Sequence, residues 1–275
     1  MLPLEQQKEV LALLEQYEQV KTKEESQKEF IPFVRSMWSE FIGGEHHEIM
    51  AEAFEKVASG NLKRLIINMP PRHTKSEFAS YLFPAWFLGQ YPEKKVIQTA
   101  HTAELAVGFG RKVRNLIQSE EYQRVFSGID LSTDSKAAGR WNTNKGGDYF
   151  AIGVGGAVTG KGADVLIIDD PHSEQDAQAG QYNPEVFDKV YEWYTSGPRQ
   201  RLQPGGAIIL VMTRWAKRDL TGQILKSMTE REGADEWEVI QLPAIMPSGS
   251  PLWGEYWRLE ELESLKAELP LSKWN

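Results

Sequence analysis

Apolar residues along the chain fall into two rhythms. Short runs without polar alternation occur at residues 65–69, 96–100, 165–169 and 207–213. Stretches with helical spacing separate them, at 76–88, 103–117 and 184–195. Strands that lack a polar face predict a sheet covered on both sides, the parallel α/β arrangement with flanking helices. Ahead of this core, Leu4, Val10, Leu11, Leu13, Leu14, Tyr17 and Val20 punctuate a Glu/Gln/Lys-rich segment, which predicts an exposed amphipathic lead-in helix over 1–29. A second helix is expected over 45–58, stopped at Ser59-Gly60. The glycine-rich stretch 141–161 predicts a strand pair at the sheet edge, leading into a loop. A last strand is expected at 237–242 and a last helix at 258–269.

The 275 residues include no cysteine, which excludes disulfides, thiolate metal sites and a cysteine nucleophile. With 31 basic and 39 acidic side chains the formal charge is -8, so any contact with nucleic acid must be local. The longest apolar run, 207–212, is far short of a membrane span, and the N-terminus has no signal-peptide pattern; the sequence reads as soluble and intracellular. The five histidines show no metal-ligand spacing, and no G-x-S-x-G elbow occurs.

Candidate chemistry begins where the first apolar run meets NMPPRHTKSE. A strand, a compact loop and Lys75-Ser76 opening a helix make the layout of a P-loop, or Walker A motif. Backbone N–H groups and the helix N-terminus face phosphate, a lysine meets the β/γ charge and a hydroxyl meets Mg²⁺. Met69 and Thr74 occupy both glycine positions of the usual pattern. Thr74 must therefore avoid positive φ or carry strain. Arg72 adds a guanidinium able to fork onto phosphate. The bland alternative is a chance Lys-Ser after a strand.

About ninety residues on, VLIIDD ends a buried strand in paired acids, as a Walker B motif does. Asp169 fits the Mg²⁺ carboxylate and Asp170 the group that polarises the attacking water, with Glu174 in reserve as base. A strand-ending turn with an acidic helix cap is the alternative for Asp169-Asp170-Pro171. The 207–212 run ends in Thr213-Arg214, and Thr213 is the candidate for sensing γ-phosphate and passing its loss onward. Arg199, Arg201, Arg214, Lys217 and Arg218, with no acid among them, form the best local candidate for a DNA-backbone or subunit contact; a solvated surface is the alternative.

On the strings NMPPRHTKSE, VLIIDDPHSEQDA and TSGPRQRLQPGGAIILVMTRWAKRDLTGQI, the sequence resembles the large subunit of phage terminases, the ATPases that package viral DNA. The resemblance spans about residues 30 to 275. It implies a RecA-like (ASCE) P-loop NTPase fold over 30–250, with 251–275 a helical linker toward a nuclease domain that the chain lacks. It implies ATP and Mg²⁺ as ligands, with Pro71, Arg72, His73, Thr74, Lys75, Ser76 and Glu77 around the nucleotide. Arg72 and Lys75 would contact phosphates, Ser76 and Asp169 would hold Mg²⁺, and Thr213 with Arg214 would lie in the coupling motif. An arginine finger given to a neighbouring subunit is also implied, for which Arg111, Arg114, Arg140 and Arg201 are all eligible. Trp38, Phe41 and His47 are weak candidates for the adenine pocket, packing being the alternative for Trp38 and Phe41. The implied partners are double-stranded DNA, a portal protein, a small terminase subunit and further copies of the chain in a ring, with no membrane. The implied place is the host cytoplasm, on a procapsid. No nuclease activity is expected. A helicase-like or remodelling ATPase, or a nucleotide-binding scaffold without turnover, are the alternatives.

Overall fold

The computed structural model describes residues 3–269. Ten α-helices and eight strands follow one another as α1 (Leu4–Lys28), α2 (Phe30–Met37), α3 (Glu45–Ala58), β1 (Arg64–Asn68), α4 (Phe83–Gln90), β2 (Lys95–Ala100), α5 (Ala103–Ile117) and α6 (Glu120–Val125). Then come β3 (Leu131–Ala137), β4 (Arg140–Thr143), β5 (Asp148–Gly153), β6 (Ala163–Asp169), α7 (Glu174–Ala179), α8 (Glu185–Ser196), β7 (Leu202–Met212), α9 (Leu220–Glu230), β8 (Glu238–Gln241) and α10 (Leu259–Glu268).

All eight strands form one sheet in the order β3-β4-β5-β2-β6-β7-β1-β8. Pairings from β5 across to β8 are parallel; β3, β4 and β5 pair antiparallel. The unalternating apolar runs have their cause in the packing. Leu65 and Ile67 of β1 enter one core cluster and Ile66 the other; β6 splits Val165 and Ile167 from Leu166 and Ile168; β7 splits Ile209 and Val211 from Ile208, Leu210 and Met212. Side chains on successive residues point to opposite faces, and helices cover both. In the sheet β7 lies between β1, which leads into the loop before Lys75, and β6, which ends in the paired acids.

Three local results depart from expectation. The strand pair of 141–161 lies one strand in from the edge, because β3 pairs outside β4. The β3 sequence LSTDSKA is mostly polar, with Leu131 reaching the core, and carries no apolar run. The helix expected over 76–88 begins at Lys75 but runs as a π-helix from Glu77 to Leu82 before α4 continues it. Pro84 has no N–H to return to the carbonyl of Ser80, so the α-helical hydrogen-bond register is interrupted there. In α1 the apolar residues fan over more than half the circumference at 3.6 residues per turn and stand exposed, so the helix is less cleanly two-faced than its pattern suggests. Its C-terminal end is anchored: Ser26 is buried, its carbonyl accepts from Trp86 Nε1 at 3.0 Å, and Gln27 Nε2 donates to the Val125 carbonyl at 2.6 Å. Among the described residues no helix is long and apolar enough to cross a membrane.

Candidate active site

Two chain segments meet at the C-terminal edge of the parallel strands, where Met69 N donates to the Met212 carbonyl (3.2 Å) and Asp170 N to the Val211 carbonyl (2.9 Å). The loop after β1 and the acids after β6 are thereby both registered on β7. Ser76 Oγ donates to Asp169 Oδ1 at 2.9 Å, and Ser80 Oγ to Asp169 Oδ2 at 2.7 Å. Gln98 Nε2, on β2, donates to Ser80 Oγ at 2.9 Å and fixes its direction. Burial holds the Asp169 carboxyl well above the ordinary carboxylate range, and the charge of Asp170 adds to this; Ser80, Lys75 and Ser76 oppose it. A carboxylate and a hydroxyl in contact are the hard oxygen donors that Mg²⁺ takes when phosphate and water complete its shell. Ser76 and Asp169 thus fit the ion. No cluster of three or more His, Asp or Glu side chains able to hold a metal occurs among the described residues.

Lys75, buried at the helix start, places Nζ 3.0 Å from Asp170 Oδ2. The other Asp170 oxygen accepts from Thr213 N at 2.7 Å, and Thr213 Oγ1 donates to the Met69 carbonyl at 3.4 Å. Thr213 therefore touches both the loop and the second acid. Arg214 turns away: Nε meets Asp219 at 2.9 Å and Nη2 the Ala216 carbonyl at 3.2 Å. Asp219 also caps α9 through Gly222 N, so Arg214 braces the turn into that helix.

The loop answers the question posed by its missing glycines. Thr74 has φ +66° and Arg72 φ +62°, both in the left-handed region. A β-branched residue there is strained by roughly 1–2 kcal/mol. A relay of neutral hydrogen bonds holds it. Gly44 N donates to His47 Nδ1 (2.9 Å), His47 Nε2 lies 2.7 Å from Thr74 Oγ1, and Thr74 Oγ1 donates to the His73 carbonyl (2.6 Å). With Nδ1 accepting and the hydroxyl proton spent on His73, His47 Nε2 is the donor to Thr74. Burial, with His46 and His73 nearby, depresses the His47 pKa to about 3, which keeps it neutral. His46 is likewise lowered to about 4, mainly by burial. Thr74 thus has a structural partner in the chain that glycine would not need.

Of the other expected nucleotide contacts, Arg72 and Pro71 are exposed at the loop tip, and Arg72 has no side-chain partner among the described residues. His73 faces inward, its Nδ1 2.9 Å from the Pro71 carbonyl and its ring against His46 and Trp257. Glu77 is paired with Lys112 of α5 at 3.1 Å. Two cavities flank the loop. One, of about 430 Å³, is lined by Arg72, Thr74 to Glu77, Trp38, Trp253 and Tyr256. The other, of about 340 Å³, is lined by Pro70, Pro71, Glu174, Thr213, Arg214 and neighbours from the β8 end. Glu174 sits in that second cavity, beside Thr213.

The remaining candidates separate. Trp38 reaches the first cavity, whereas Phe41 packs on Trp38, His47 and Phe78, and His47 supports the loop. Arg111 and Arg140 are exposed and Arg114 and Arg201 half-buried; none lines either cavity. The basic stretch is largely neutralised within the chain: Arg199 pairs with Asp235, Arg214 with Asp219 and Arg218 with Asp188. That leaves Arg201 and Lys217 from the expected patch. Sequence reasoning missed Ser80, although its spacing of four from Ser76 was a signal for a shared helix face. It also missed Trp253 and Tyr256, which lie in turns far along the chain.

No protein-family profile matches this chain, and no curated protein is similar to it. Solved structures do resemble it. An ATPase-domain mutant of the Thermus phage P74-26 large terminase matches over 88% of this chain and 94% of its own length, with a TM-score of 0.52 and 13% identity. The HK97 bacteriophage large terminase matches over 82% of this chain with a TM-score of 0.49 and 11% identity; this chain spans 49% of its length. The fold is thus shared with a phage large-terminase ATPase domain.

Proposed function

We propose that this chain is an ATP hydrolase, the motor domain of a machine that drives double-stranded viral DNA into a procapsid. One observation carries the reading: Lys75 and Ser76, at the start of one helix, meet Asp169 and Asp170, at the end of a strand two places away in the sheet. A chance Lys-Ser and a chance acidic turn have no reason to converge to hydrogen-bond distance. The shared fold with the P74-26 ATPase domain supports the same reading.

The residues divide the work. Backbone N–H groups at the helix start, together with Arg72 and Lys75, receive the phosphates. Ser76 and Asp169 hold Mg²⁺, which when bound neutralises phosphate charge and favours displacement at phosphorus. Arrival of a triphosphate draws Lys75 away from Asp170. The carboxylate, still oriented by Thr213 N, is then free to accept a hydrogen bond from the attacking water. Thr213, bonded to both Asp170 and the loop carbonyl of Met69, carries the loss of γ-phosphate into β7 and the turn braced by Arg214 and Asp219. An arginine from a neighbouring copy in a ring completes the charge, drawn from Arg111, Arg114, Arg140 or Arg201. A portal protein and a small terminase subunit are the proposed partners, and the host cytoplasm the proposed place of action. DNA contact falls to Arg201 and Lys217 within the basic stretch.

Phosphate release from Mg·ATP, with and without duplex DNA, tests the proposal. The wild-type chain should turn over slowly when monomeric, and Lys75→Ala should abolish turnover. Near-normal turnover in that variant excludes the assignment; tight nucleotide binding with no release by the wild type supports a scaffold instead.

A further inference from the structure

We propose that Tyr256, seated on Trp253, is the platform on which the nucleobase stacks, so that a segment nearly two hundred residues beyond the phosphate loop completes the nucleotide site. This rests on the function proposed above and adds the subsite for the base. Four observations converge. The 430 Å³ cavity that opens onto Thr74, Lys75 and Ser76 is walled elsewhere by Trp38, Trp253 and Tyr256, so phosphate-binding and aromatic groups share one space. Its size is within the range of small-ligand sites. Trp253 is buried, with its ring 5.4 Å from His46 and 5.1 Å from His47, the residue that holds Thr74. Gly44 makes room for it: a Cβ there would stand 2.7 Å from Trp253 Cδ1. Tyr256 lies parallel on Trp253, centroids 4.3 Å apart at 17°, and is 54% exposed. A large aromatic ring held flat by a buried partner, yet open to solvent beside a phosphate loop, offers a π-face to a planar base.

Stacking also sets the selectivity. The side chains lining this cavity include no Asn or Gln amide, the Glu77 carboxylate is paired with Lys112, and Arg72, Thr74, Lys75 and Ser76 belong to the phosphate end. Every base has a π-face, so stacking tolerates base identity. ATP and GTP should therefore bind within a few-fold of each other.

The test is calorimetric titration of the full chain with Mg²⁺ and a non-hydrolysable ATP analogue, in parallel with Mg²⁺ and inorganic tripolyphosphate, which has no base. Tyr256→Ala should weaken the analogue about tenfold and leave tripolyphosphate within about twofold, while Tyr256→Phe keeps wild-type affinity for both. Equal losses on both ligands would assign Tyr256 to loop support and overturn the proposal. No loss on either, or a Phe variant that behaves like Ala, would also overturn it. Wild-type protein that binds tripolyphosphate as tightly as the analogue would remove the base subsite while leaving the phosphate site standing. Wild-type protein that binds neither would overturn the proposed function and this subsite with it.

Discussion

On the loop side of the site, Arg72 and Thr74 are held at positive φ, and the support beneath Thr74 is neutral: one buried histidine ring, a threonine hydroxyl and backbone groups in a relay. On the strand side, the support is charge. Asp169 is buried with its carboxyl resisting ionisation, and Asp170 leans on Lys75 and a single N–H of Thr213. Both sides carry some backbone strain, Asp170 standing at φ +39°, but on the loop side the strain serves to keep a shape. The strand side keeps charged groups close in a dry place, ready for a ligand that is itself charged. Substitutions on the two sides should therefore separate stability from turnover.

Among the substitutions that test this contrast, the largest expected effect is at Asp169. Asp169→Asn keeps the shape, and its amide meets hydroxyls that accept as readily as they donate. Turnover should fall about 10²–10³-fold, as when a single electrostatic group is removed from a site. The melting temperature at neutral pH should hold or rise, because a carboxyl whose folded pKa lies above its unfolded value makes the fold less stable as pH rises between the two. A variant that loses both activity and stability would break the contrast.

Acid titration addresses the loop side. His46 titrates at about 4 in the fold against 6.5 unfolded, so the unfolded chain binds the extra proton between those values. Its contribution to stability is complete above pH 6.5 and declines as pH falls toward 4. Replacing it should change the slope by about 1.4 kcal/mol per pH unit in that window. Urea unfolding of wild type and His46→Phe from pH 7 to 4.5 measures this. Parallel curves would show that the histidine is not buried neutral.

The smallest effect concerns strain. Thr74→Ala keeps positive φ on a residue with a Cβ and strands the His47 N–H; Thr74→Gly also strands it but relieves the backbone. The glycine variant should be more stable than the alanine variant by about 1 kcal/mol, even though glycine is the more flexible residue unfolded. Equal stabilities would mean that Thr74 is not held at positive φ in solution.

Much of this arrangement was legible in the sequence. Strands β1, β2, β6 and β7 announce themselves because burial on both faces removes polar alternation, and Lys75, Ser76, Asp169 and Asp170 lie at their ends. What stayed hidden depends on contacts between distant segments. The edge strand β3 gives Leu131 to the core but is otherwise polar, so no apolar run marks it. The pairing of Arg199 with Asp235 and of Arg218 with Asp188 needs the fold before it can neutralise a basic stretch. His47 reads in the sequence as a weak adenine-pocket candidate, and its role under the loop emerges only when Thr74 is set beside it, 27 residues away. Trp253 and Tyr256 lie in turns with no periodicity, and only the cavity identifies them.

The most direct test is a crystal structure with Mg²⁺ and a non-hydrolysable ATP analogue. The β- and γ-phosphates should lie within the loop of residues 70–76, with Lys75 Nζ moved from Asp170 onto phosphate oxygen while His47 still holds Thr74. A nucleotide lodged elsewhere, or a bound nucleotide that leaves Lys75 paired with Asp170, would contradict the account.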